Sequence, residues 1–229
     1  MMIFYCPEFD RTIHVNRKNI IRRLSLKVCR VTGQISINAS VYIPNSDIIN
    51  FFNKNRSWVS KQLNKCVVPM LVEKGLRLPI EGNYYEIVLK NNISTVGLYN
   101  SSKICLPKNI INIGQAVQKF LIKYCKSIMI PIILKKSNLL NKKIKKISFK
   151  DTKSRWGSCS AQGSVMLNWR LIMAPQSVYK YVIVHELSHL VHMNHGNRFW
   201  KLVGELHPSY MYDREWLNKN GHEISKYIF

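Results

Sequence analysis

The chain has 229 residues, enough for one large domain or two small ones, and 46% of them are apolar, which excludes general disorder. Thirty-five Lys and Arg stand against twelve Asp and Glu, and the resulting charge of +23 suits phosphate backbones or acidic surfaces as partners. No apolar run approaches the ~18 residues of a membrane helix, and the densest, "SIMIPIIL", is short and carries Pro131.

The opening "MMIFYCPEFDR" has no basic region followed by an apolar stretch and a cleavage site, so it does not read as a signal peptide. "TIHV", "LSLKVCR" and "QISINAS" alternate like strands, the last after a turn at Thr32-Gly33. "PNSDIINFFNKNRSWVSKQLNK" reads as one helix, capped by Ser46, with Ile48, Ile49, Phe52, Val59 and Leu63 as its apolar stripe. "YYEIVLK" reads as another strand, as do "TVGLY" and "KICLP", joined by "NSS". A helix is expected over 115–135, bent at Pro131. "KKIKKISFK" follows as a strand, "SRWGSCSAQG" as a turn-rich connector and "SVMLNW" as a strand. Helices are expected over 176–193, 197–206 and 211–219. There is no internal sequence repeat and no low-complexity linker. Strand-rich chain gives way to helical chain near Asn112, which divides an α+β protein into a β-rich region, 1–112, and a region, 113–229, that carries the chemistry.

The charge is unevenly placed. Residues 87–150 hold thirteen lysines and no acid, and 11–46 are also free of acid. Lys119, Lys123 and Lys126 follow i, i+4, i+7 spacing and share a helix face, with Lys142, Lys143, Lys145 and Lys146 as a second cluster. One reading of 119–150 is a nucleic-acid contact. The other is a solvated face, and the accompanying wealth of Ile and Asn fits codons drifting toward A and T. Six scattered cysteines without a C-x-x-C pair fit free thiols in a reducing cytoplasm, an oxidised framework being the alternative. Nothing in the sequence sets an oligomeric state.

The most informative stretch is "VIVHELSHLVHMNHGNRFW". In "HELSH", His185 and His189 are four residues apart, so on a helix they share a face one turn apart, ~6 Å of rise. Two imidazoles so placed can converge on one ion, and Glu186, rotated by about 100°, reaches a water beside it. An apolar helix carrying two histidines and a glutamate is costly unless they have partners. His192 would lie ~10 Å of rise beyond His185 on a continuous helix, too far to share the ion. His195 escapes that limit if the helix ends near Asn194 and Gly196 lets the chain turn back, leaving a fourth position for water. Trp156, Trp169 and Trp200 read as aromatics bracing this helix, and Gly157 as a bulge. Arg155 and Arg170 read either as carboxylate binders or as structural ion pairs. Cys159 reads as structural, and Tyr210 and His207 as weak candidates for stabilising an oxyanion.

"SRWGSCSAQGSVMLNWRLIMAP", "YVIVHELSHL" and "NHGNRFW", in that order, resemble the YgjP-like metallopeptidase family, a zincin-fold group related to the SprT-like proteases. "RRLSLKV" and "LPIEGNYYEI" extend the likeness over almost the whole chain. The resemblance implies a zincin-like core built on the H-E-x-x-H helix, zinc on His185, His189 and His195, and Glu186 as catalytic base. It also implies a peptide or protein substrate held along the strand "SVMLNW". The sequence departs from the family pattern at Gly196, where Ser is expected, and at Ser188, where Ala is expected. On this reading the chain is a cytoplasmic zinc peptidase without a membrane span. The alternatives are a protease acting on proteins bound to DNA or RNA, and a binding module that keeps the metal for stability alone.

Overall fold

The computed structural model describes residues 2–29, 31–99 and 102–229. Arg30, in the expected strand "LSLKVCR", and Asn100 and Ser101, in the expected "NSS" connector, lie outside the described residues, as does Met1. By its contacts the chain divides into two compact units, Met1–Pro69 and Met70–Phe229.

In the first unit, β1 (Met2–Cys6), β2 (Arg11–Arg17), β3 (Ser25–Val28) and β4 (Ile35–Ala39) form one sheet in the order β1-β2-β4-β3. β1 and β3 run antiparallel to their neighbours, and β2 runs parallel to β4. Period-two alternation buries Ile13, Val15, Ile35, Ile37 and Ala39 together with Ile48, Phe52 and Val59 of α1 (Asn45–Lys54) and α2 (Arg56–Leu63). The single helix read from the sequence is thus two. It breaks at Asn55, whose φ of −107° and ψ of 11° leave helical space while its side-chain amide donates to the Phe51 carbonyl at 2.7 Å. Pro44, not Ser46, stands at the start of α1. β1 gave no sequence signal because "MIFYC" is apolar throughout and shows no period. The Arg17 guanidinium donates to the Ser40, Val41 and Ile43 carbonyls and to Asn45 Oδ1, so this charge holds a loop.

The second unit opens with β5 (Met70–Leu71), followed by β6 (Arg77–Ile80), β7 (Asn83–Lys90), β8 (Gly97–Tyr99) and β9 (Lys103–Pro107). The last four form a sheet in the order β6-β7-β9-β8, with the same pattern of directions as the first unit. α3 (Ile113–Leu139) follows, capped by Asn112 Oδ1, which accepts from the Gln115 N–H at 2.8 Å. Val117, Leu121, Cys125, Met129 and Ile133 form its buried stripe, while Pro131 lies exposed within the helix. β10 (Lys146–Lys150), β11 (Gly157–Cys159) and β12 (Ser164–Asn168) form a third sheet in the order β10-β12-β11, β10 parallel and β11 antiparallel to β12. A strand followed by a hairpin whose second arm docks beside it therefore occurs three times. The sequence hides this recurrence because the connecting loops differ in length and composition.

A 3-10 turn, Trp169–Met173, leads into α4 (Gln176–Ser188), then α5 (Asn197–Leu206), α6 (Tyr210–Ser225) and β13 (Tyr227–Ile228), which pairs parallel with β5. The sequence boundary near Asn112 falls inside this unit, because Leu78, Ile80, Ile87, Ile104 and Leu106 share one core with α3 and α4. α4 is buried all round, through Val178, Tyr179, Val182, Ile183, Val184 and Leu187. Such a helix occupies the centre of its unit. Among the described residues no helix is long and apolar enough to cross a membrane. Cys6, Cys29, Cys105, Cys125 and Cys159 are free thiols.

One carboxylate ties the hairpin β6–β7 to the helices. Glu81, in the left-handed region at φ 50°, accepts from the Tyr179 hydroxyl at 2.6 Å and from the Tyr124 hydroxyl at 2.9 Å. Its N–H donates to the Ile172 carbonyl at 2.7 Å. Burial, then the bond to Glu81, pushes Tyr124 up from 10.0 to about 12, and Tyr179 is raised by the same causes. A phenol must keep its proton to donate here. The Tyr124 contribution to stability is therefore fully present below pH 10.0 and is lost as pH rises through about 12. Glu81→Gln should cost about 1–3 kcal/mol at neutral pH. In urea unfolding followed by circular dichroism, that deficit should shrink across the same alkaline window; a constant gap between variant and wild type would remove Glu81 from this role.

Candidate metal centre and active site

α4 ends sooner than the sequence periodicity suggests. Ser188 is its last residue and His189 its C-cap, still right-handed at φ −66° and ψ −18°. His185 and His189 therefore keep their one-turn relation. The chain then reverses through 190–196, and Gly196 caps α5 with φ −79° and ψ −177°. That conformation is open to any residue, and a Cβ at Gly196 would meet nothing within 4 Å. The reversal does not depend on glycine, and the Ser of the family pattern would fit. Ser188 is likewise accommodated: its buried hydroxyl donates to the Val184 carbonyl at 2.8 Å, so it packs where an Ala is expected.

The reversal brings His195 back to α4. One nitrogen from each of His185, His189 and His195 lies within 4.8 Å of the others, and Nε2 of His195 is 3.1 Å from Nε2 of His185. His192 does not join the group. Its carbonyl lies 3.3 Å from His189 Nδ1, which fixes that ring with Nε2 toward its neighbours. Phe199, fully buried on α5, forms the floor, its ring centroid 5.0, 4.7 and 4.7 Å from those of His185, His189 and His195. Trp200 forms a wall, stacked on His195 at 5.7 Å and on Tyr210 at 5.6 Å. The other two tryptophans lie elsewhere: Trp169 is buried against Phe229, and Trp156 packs where a Cβ on Gly221 would come within 2.8 Å.

Burial, together with its histidine neighbours, pushes His185 down to about 4, and burial lowers His189 as well. Both rings are neutral at pH 7 and present lone pairs. Nδ1 of His185 is buried without a hydrogen-bond partner among the described residues, and Nε2 is the atom beside His195. Three converging imidazoles suit a divalent ion of borderline softness, and zinc fits that donor set. Glu186 is 6% exposed, and burial raises its pKa to about 7, against the pull of the Arg155 guanidinium. Cys159 is pushed up to about 11 by burial and then by Glu186, so its sulfur stays a thiol at neutral pH.

Gly157 proves to be a point of close approach rather than a bulge. It pairs in regular register with Leu167, and a Cβ there would lie 2.5 Å from Glu186 Oε1. The strand "SVMLNW" cannot hold a substrate, because β12 is the middle of its sheet, with β10 and β11 on its two sides. The edges are β10 and β11, and β11 is the one that lies against Glu186. Trp156 accepts from the Asn168 N–H and Ser160 donates to the Ser164 carbonyl, so the main-chain groups of Gly157 and Cys159 face away from β12.

The two arginines singled out in the sequence separate. Arg170 forms a two-pronged ion pair with Asp151, at 2.8 and 3.0 Å, and donates to the Ile224 and Tyr227 carbonyls, a structural role. Among the described residues Arg155 forms no salt bridge. His207 is committed to Asp213, 2.6 Å away, with Ser209 bonded to the same carboxylate oxygen. Sequence reasoning missed Phe199, Tyr181 and Arg214. Tyr181 is buried on α4 with its ring 5.9 Å from that of His185, and the Arg214 guanidinium lies 4.7 Å above Trp200. For Phe199 the signal was its one-turn spacing from Val203 on an amphipathic helix; Arg214 had none.

A crystal structure of the metallopeptidase zymogen of Pyrococcus abyssi abylysin is similar over 48% of this chain and 98% of that one, at 17% identity and a TM-score of 0.32, a loose likeness. No curated protein matches at a significant level. The YgjP-like metallopeptidase domain matches residues 22–220, from within the first unit almost to the end of α6. The chain belongs to the YgjP-like metallopeptidase family.

Proposed function

We propose that this chain hydrolyses peptide bonds with zinc held by His185, His189 and His195 and with Glu186 as general base, on a zincin-like core of α4 and the sheet β10-β12-β11. The observation that carries the reading is the convergence of three imidazoles, two of them lowered into the neutral form, beside a buried carboxylate. When bound, zinc supplies Lewis-acid polarisation of the scissile carbonyl and of water. Glu186 does the proton work. A carboxylate whose pKa lies at about 7 can take the proton of an attacking water and return it to the departing amine. The outward main chain of Gly157 and Cys159 supports an extended substrate adding to the edge of β11, in place of the strand expected from the sequence.

A metal-stabilised binding module does not call for a buried carboxylate beside the cluster, and Glu186 counts against it. Lys119, Lys123 and Lys126 are exposed on α3, as are Lys142, Lys143, Lys145 and Lys146 after it. A solvated basic face has the same appearance. These lysines by themselves do not favour a nucleic acid over any other polyanion.

Protein purified without chelators should carry about one zinc per chain by elemental analysis. His195→Ala should lower occupancy sharply and His192→Ala should leave it nearly intact; the reverse ranking would overturn the ligand set. Glu186→Gln should keep zinc while kcat on an unfolded protein substrate falls about 10²–10⁴-fold. Retained turnover in the zinc-loaded variant would exclude Glu186 as base. Gly157→Ala should drive a methyl group into the Glu186 carboxylate, cost about 1–3 kcal/mol in urea unfolding and depress turnover with zinc still bound. Unchanged turnover would mean that this close approach does not position the base.

A further inference from the structure

Two positive charges lie near the site, Arg214 at its Trp200 wall and Arg155 near the Glu186 carboxylate, whose proton affinity it lowers, and among the described residues neither forms a salt bridge. Arg214, exposed on α6, lies 4.7 Å above the Trp200 ring, and Trp200 stacks on His195 with an interplanar angle of 25°. The guanidinium is thus held over the wall of the site by an aromatic face, which leaves its N–H donors unpaired with any acid. Its charge also reaches His185. Arg155, also exposed, stands two residues before Gly157 at the entry to β11. Its carbonyl accepts from Thr152 Oγ1 at 2.6 Å, and the Thr152 carbonyl accepts from the side chain of buried Asn168 at 2.8 Å. The backbone is pinned while the guanidinium stays open to solvent. Arg56 and Arg170, by contrast, are paired with Glu8 and Asp151, and no salt bridge among the described residues involves Arg155 or Arg214.

We propose that this site takes acidic polypeptide segments, with Arg155 and Arg214 binding substrate carboxylates beside the histidine cluster. The proposal rests on the peptidase reading and adds its substrate class. A peptide extended along β11 rises ~3.3 Å per residue, so Arg155 lies roughly two residues, ~7 Å, along it from Gly157, within reach of a substrate side chain. A guanidinium meets a carboxylate in a two-pronged geometry. A basic segment would meet two unpaired cations and the field of a chain of charge +23, which repels it before contact. A polypeptide is favoured over a nucleic acid because the groups at the open edge are amides and carbonyls in strand register.

Binding can be read without turnover in the zinc-loaded Glu186→Gln chain. The probes are labelled Ala-based peptides of equal length carrying Glu, Gln or Lys at alternate positions, followed by fluorescence anisotropy. The Glu peptide should bind about tenfold more tightly than the Gln peptide, with the Lys peptide weakest. Arg155→Gln and Arg214→Gln should each reduce that preference about threefold or more, and the corresponding Lys variants should restore part of it. Lys119→Gln with Lys123→Gln, which removes twice the charge of either arginine variant from α3, should leave the preference intact. Equal affinity for all three peptides, or an equal loss in the α3 control, would overturn the proposal. So would a single-stranded oligothymidylate whose binding depends on Arg155 and Arg214 as strongly as that of the Glu peptide. Cleavage by the zinc-loaded wild type is read separately. If it cut none of the peptides, the peptidase reading would fail, while the anisotropy ranking still tests the arginines.

Discussion

The close approach of β11 to α4 is the constraint on which the second unit depends. A carboxylate with 6% of its surface exposed sits against a strand that has hydrogen in place of a side chain at the point of contact. Desolvation there raises the proton affinity of Glu186 into the neutral range, which an exposed glutamate on the same helix would not reach. The approach also requires α4 to be central, because a helix pressed under a sheet on one side and against α3 and α6 on others has no solvent face left to make polar. The all-round burial of Val182, Ile183, Val184 and Leu187 follows from it.

The histidines are organised by a different interaction, an aromatic bed. Phe199 touches all three rings and has no polar atom with which to compete for them. Because Phe199 and Trp200 follow His195 on the next helix, the element that delivers the third imidazole also supplies the surface on which all three rest. Ring orientation is thereby set by packing on Phe199 and Trp200, with the His192 carbonyl 3.3 Å from His189 Nδ1.

Much of the site was legible because its signals are local. The four-residue spacing of His185 and His189 holds in any helix, and His195 was reached by asking how far a helix can carry His192. The expected helix end was too late by several residues, yet the argument survived, since it needed only a break before His195. What escaped was long-range. The sequence named Gly157 as a bulge because the residue it makes room for lies a whole hairpin and helix away. The family resemblance implied a substrate along "SVMLNW", but that run is the strong strand signal because β12 is central, whereas β11 at the edge is the short, weakly patterned "GSC". Grouping by strand content likewise set the boundary at Asn112, although the strands before it share their core with the helices after it. Arg155 and Arg214 belong to distant parts of the chain, and only folding makes both of them neighbours of one site.

The recurring trio of strands imposes an order of assembly on a chain made from its N-terminus. In each trio the middle strand is the last to be synthesised: β4 lies between β2 and β3, β9 between β7 and β8, and β12 between β10 and β11. Every ladder in a trio runs through that late strand, so the two flanking strands have no partner within the trio until it emerges. The local hairpin can close at once, and the earlier strand must then be captured across a longer stretch of chain, the slower of the two events. Nascent chains are thus held with open strand edges three times in succession, the condition under which chaperone binding matters most. The third capture falls just before α4 is made. The carboxylate of Glu186 therefore emerges only after the three strands of the sheet that buries it have been made.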